Sequence, residues 1–100
     1  MSKKLTSIFT DDMNTCYFQK RQDGIERHHI FGGPNRKKSE KYGFVIPLHY
    51  TLHPNGAGCE LSHDERKALD LFLKQVCERW YLENVGSIYD WIQEFGKSYL

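Results

Sequence analysis

The stretch Ile25-Glu26-Arg27-His28-His29-Ile30-Phe31-Gly32-Gly33 decides how this chain is read. It follows Gln22-Asp23-Gly24, where Asp-Gly supplies the positive-φ residues that a tight turn needs. Ile25 to Phe31 then reads as a short strand, and Gly32-Gly33-Pro34-Asn35 must break it. Neighbouring strand residues point to opposite faces, so His28 and His29 share a side only if the strand ends or bends beside them. The glycine pair supplies such a bend.

Working outward, residues 35–42 read as a polar, basic loop. Tyr42 to Leu48 is aromatic and β-branched, which predicts a second strand with Pro47 at its end or on an edge. Residues 49–61, with Pro54, Asn55, Gly56 and Gly58, read as loop. Ser62-His63-Asp64-Glu65 is a capping box. Behind it, Leu69, Phe72, Leu73, Val76, Cys77 and Trp80 recur at helical spacing, predicting a helix from about 63 to 82. Gly86-Ser87 separates it from a shorter helix with an apolar face of Ile88, Trp91, Ile92 and Phe95. Residues 1–15 read as an N-terminal arm and 16–100 as one domain. The fold class expected is α+β: a two-stranded hairpin packed on a long helix, plus a short C-terminal helix. A two-stranded hairpin is marginal alone and needs that helix, a metal, or both.

The chain has 100 residues, of which 39% are hydrophobic and 14% aromatic. That is enough for one modest core and argues against disorder. The net charge of +1 gives no bulk attraction to a polyanion, so any such attraction must be local. Arg36, Lys37, Lys38 and Lys41 form one basic cluster, whereas Asp64, Glu65, Asp70, Glu78, Glu83, Asp90 and Glu94 lie in the C-terminal half. Cys16, Cys59 and Cys77 are an odd number at wide spacings, a poor disulfide framework, so a reducing cytoplasm is the expected location. Neither a signal-peptide core nor a run of transmembrane length is present in the sequence, and no membrane association is expected.

Five histidines, His28, His29, His49, His53 and His63, all fall within residues 28–63. A strand-borne pair followed by distant histidines offers two functions together. One ring binds a metal, and a neutral imidazole beside it takes a proton. For His49 the reading is a packing residue or the relic of a second metal site. For His63, an ordinary helix start competes with a ligand role.

The runs His28-His29-Ile30-Phe31-Gly32-Gly33 and Asn35-Arg36-Lys37-Lys38-Ser39-Glu40-Lys41-Tyr42-Gly43 resemble the small HNH proteins of bacteriophages. The ending Phe95-Gly96-Lys97-Ser98-Tyr99-Leu100 is similar to the tail of that group. The resemblance spans about residues 16–100. It implies a ββα-metal fold and metal-dependent DNA cleavage. Carried over by position, His28, His53 and His63 are metal ligands and His29 is the general base. Arg36, Lys37, Lys38 and Lys41 contact DNA, and Asn35 is the candidate for the middle residue of the motif. The expected cofactor is a divalent ion: magnesium, manganese, nickel or zinc. A structural zinc is not expected, because Gln19, His49 and Leu52 stand where relatives carry further ligands beside Cys16.

Two functions compete. One is a phage-type HNH endonuclease or nickase acting in the host cytoplasm. The other is a catalytically degenerate HNH-fold binding protein, such as a phage inhibitor of a host defence system acting by protein contact. Tyr89, Trp91, Ile92 and Phe95 are expected to pack on the long helix or on a partner, a second copy included.

Overall fold

A computed structural model describes residues 5–100. Met1 to Lys4, on which part of the arm and signal-peptide expectations falls, lie outside the described residues. The fold is α+β. Strand β1 (Ile25–His29) and strand β2 (Val45–His49) form an antiparallel pair, with Ile25 opposite His49 and His29 opposite Val45. Helix α1 (Arg36–Tyr42) lies in their connection. Helix α2 (His63–Asn84) and helix α3 (Ile88–Phe95) follow.

Pro47 sits in the middle of β2, opposite Arg27, rather than at its end. Both strands are edges in a two-stranded sheet. Pro47 turns its carbonyl outward, where it accepts from the Tyr17 amide at 2.9 Å. Its missing N–H therefore faces away from β1 and removes no ladder bond.

Helix α1 replaces the loop expected over 35–42. Pro34 sits in a single 3-10 turn, Gly33–Asn35, that leads into the helix. Gly43 ends it at φ 77°, its amide bonding to the Ser39 carbonyl. Seven residues with Ser39 alone fully buried carry no apolar stripe, so periodicity does not reveal the helix. Ser39 anchors it: its hydroxyl donates to the Phe31 carbonyl (2.7 Å) and accepts from the Phe31 amide (3.0 Å).

Both capping boxes form. Ser62 and Glu65 open α2, and Ser87 and Asp90 open α3. The core lies between one face of the sheet and the two C-terminal helices. It gathers Ile30, Phe44, Ile46 and Leu48 against Leu73, Cys77, Tyr81, Trp91 and Phe95. Trp91 is fully buried and stacks on Phe95 at 4.2 Å, so these two aromatics serve the core. Tyr89 and Ile92, on the same helix, remain exposed. The arm is tied to the sheet side: the Ile8 amide bonds to the Gly43 carbonyl, and Met13 and Cys16 are buried. Cys16, Cys59 and Cys77 are all free thiols. No described helix is long and apolar enough to cross a membrane.

Candidate metal centre

Strand β1 sends His28 to the core face with Ile46 and His29 to the other face with Val45, as a period of two requires. No bend at Gly32-Gly33 brings the two rings to one side within the strand. Burial first, and then the charges of His53, His29 and Lys74, push the His28 imidazole down to about 4. His28 is thus a neutral ring at pH 7. Its Nε2 is buried and has no hydrogen-bond partner among the described residues, as is also true of His29 Nε2 and His49 Nε2. An orphaned buried nitrogen costs about 1–3 kcal/mol unless something fills its lone pair or takes its proton.

His53 stands beside it, the two ring centroids 4.9 Å apart. The turn Tyr50–Leu52 after β2 carries the chain there, with the His53 amide bonding to the Tyr50 carbonyl. Glu26 of β1 fixes the ring. Its Oε1 is 2.6 Å from His53 Nδ1. A carboxylate only accepts, so Nδ1 carries the proton and Nε2 carries the lone pair. Sequence reading missed Glu26. Its signal was the strand period, which places residue 26 on the same face as His28.

His29 ends β1 and is largely buried. Its Nε2 is 3.5 Å from Glu40 Oε2 on α1. Glu40 reaches this position only because residues 36–42 are helical.

The remaining expected site residues are placed as follows. His63 is the exposed first residue of α2 and makes no hydrogen bond or ring contact with His28 or His53 among the described residues. Among those residues no three His, Cys, Asp or Glu side chains converge on one point. The donors brought together are His28 and His53, two imidazoles of the kind that zinc and nickel accept. That donor set and the orphaned Nε2 fit a divalent ion with most positions left open.

His49 is a packing residue. It is buried, stacks on Tyr50 at 4.3 Å, and its Nδ1 is 2.7 Å from the Thr51 hydroxyl. Leu52 is half-buried and packs against the core. Asn35 precedes α1 and makes no side-chain cap bond.

Of the basic cluster, Arg36, Lys37 and Lys41 are exposed. Lys38 is differently engaged. Its Nζ donates to the Glu94 carbonyl at 2.5 Å, at the C-terminal end of α3, and lies over the Phe95 ring. The Glu94 carboxylate accepts from the Tyr42 and Tyr81 hydroxyls at 2.6 and 2.7 Å. Burial alone would raise this carboxyl, but the two hydroxyls with Lys41 and Lys38 hold it below its usual range. Tyr42 is pushed up to about 12 by burial and by that bond. The cluster thus partly serves to lock α1 onto α3.

No protein-family model matches the chain, and neither a curated protein nor a solved structure matches it.

Proposed function

We propose that this protein is a metal-dependent DNA endonuclease or nickase of phage HNH type. The carrying observation is the His28–His53 pair: two rings 4.9 Å apart, one with an orphaned Nε2 and one with its Nδ1 fixed by Glu26. The order of elements supports the reading, since an antiparallel pair followed by a helix is the ββα arrangement the resemblance implies. His28 and His53 would hold the ion, with water and phosphate oxygens at the remaining positions; His63, which the resemblance offers as a third ligand, does not converge with them among the described residues. A divalent ion held there would supply stabilisation of charge on the phosphate and on the leaving oxygen. His29, which ends β1 with its Nε2 3.5 Å from Glu40, would take the proton of the attacking water. Arg36, Lys37 and Lys41 meet phosphates without reading sequence.

Supercoiled plasmid, incubated with purified protein and magnesium, manganese or nickel, tests this beside an EDTA control and a His29→Ala variant. Metal-dependent nicking that disappears in His29→Ala is the expected result. Intact plasmid with every metal, from folded protein, would instead assign the chain to the catalytically degenerate binding proteins.

A further inference from the structure

A second cationic surface lies apart from α1. Lys67, Leu71 and Lys74 fall at helical spacing on one face of α2. They line a groove of about 430 Å³ whose opposite wall is Lys97 and Tyr99. Among the described residues, that lining carries three ammonium groups and one carboxylate, Asp70, which pairs with Lys74 at 3.0 Å. Three minus one leaves +2 within the groove, against +1 for the whole chain.

The wall is built rather than draped. Glu78, fully buried in α2, accepts from the Ser98 hydroxyl and the Tyr99 amide, each at 2.6 Å. Gln75 Nε2 donates to the Tyr99 carbonyl at 2.9 Å, and Trp91 Nε1 to the Lys97 carbonyl at 2.9 Å. A buried carboxylate is costly unless its bonds are made. Here those bonds hold the Tyr99 ring between two cations, with Lys74 Nζ at 5.3 Å and Lys97 Nζ at 5.1 Å from its centroid. The ring's negative face holds together ammonium groups that would otherwise repel. Lys74 Nζ also lies 5.7 Å from the ring of Phe31, a core residue.

We propose that this groove between α2 and residues 97–100 binds the phosphodiester backbone of DNA, with Lys67, Lys74 and Lys97 as its cationic contacts. The identity of the polyanion rests on the nuclease reading. The groove's charge does not.

Binding of a labelled duplex of about 20 base pairs, followed by fluorescence anisotropy in EDTA between about 50 and 200 mM salt, tests this without cleavage. The double variant Lys67→Gln/Lys97→Gln is expected to raise Kd about tenfold and to lower the salt slope by about 1.8, roughly 0.9 per charge removed. Asp70→Asn removes the competing carboxylate and is expected to tighten binding, a gain that misfolding does not produce. Unchanged Kd and slope in both variants would overturn the groove assignment, as would absence of wild-type binding at the lowest salt. Loss of binding in the double variant, combined with an intact plasmid in the nicking assay, would uphold the groove and overturn the nuclease reading instead.

Discussion

Glu26 holds His53: its carboxylate lies 2.6 Å from Nδ1 and so turns the other ring nitrogen, with its lone pair, outward from the bond. Carboxylate partners of ligating histidines set tautomer and ring orientation, and their loss weakens metal binding about 10–100-fold. Glu26→Ala is therefore expected to weaken nickel binding within that range. Glu26 is exposed, so urea unfolding of the metal-free variant is expected to stay within about 0.5 kcal/mol of wild type. An affinity equal to wild type would remove Glu26 from the site.

His28 makes the metal-free protein acid-sensitive. Its folded value is pushed down to about 4, mainly by burial, from an ordinary 6.5. Between these values the unfolded chain takes up a proton that the folded chain refuses. Stability is therefore full above about pH 6.5 and is lost as pH falls toward 4, by up to about 3 kcal/mol. Urea midpoints of wild type and His28→Phe at pH 7 and pH 4.5 measure it. The variant is expected to show the smaller fall, and parallel falls would contradict the assignment.

Glu78 anchors residues 97–100 from a fully buried position. Glu78→Ala leaves the Ser98 hydroxyl and the Tyr99 amide without their acceptor. The expected loss is about 2–4 kcal/mol, with residues 97–100 becoming sensitive to protease. Thermal unfolding and limited proteolysis read the two effects. A variant as stable and as protected as wild type would mean the tail is not held this way.

Gly24 closes the turn before β1 at φ 60°, and a Cβ there would lie 2.8 Å from the Tyr50 ring. Gly24→Ala combines left-handed strain with that clash, so an expected cost of about 1–3 kcal/mol follows. Thermal melting checks it, and an unchanged midpoint would show that Tyr50 moves aside freely.

The elements whose signals are local were legible in the sequence. Ser62-His63-Asp64-Glu65 and Ser87-Ile88-Tyr89-Asp90 announced both later helices, and Asp23-Gly24 announced the turn into β1. Helix α1 was not, because seven residues with one small buried side chain leave no periodicity. Pro34 before it and Gly43 after it were nonetheless legible as start and stop signals. At the site, His28 and His53 were paired only through the resemblance, and the structure sets their rings 4.9 Å apart. The separation of His28 and His29 onto two faces follows from the strand period once no bend intervenes. A consecutive basic run looks uniformly solvated in sequence, whereas helix α1 turns the Lys38 ammonium group toward the end of α3. The groove of Lys67, Lys74 and Lys97 joins residues thirty positions apart, which sequence order alone does not bring together.

The central claim is that His28 and His53 hold a divalent ion. Calorimetric titration of nickel into metal-free protein at pH 7, for wild type, His28→Ala and His53→Ala, addresses it directly. One equivalent bound by wild type and lost in both variants, with folding retained by circular dichroism, is the predicted result. No binding by wild type, or binding of equal strength in the two variants, would contradict it.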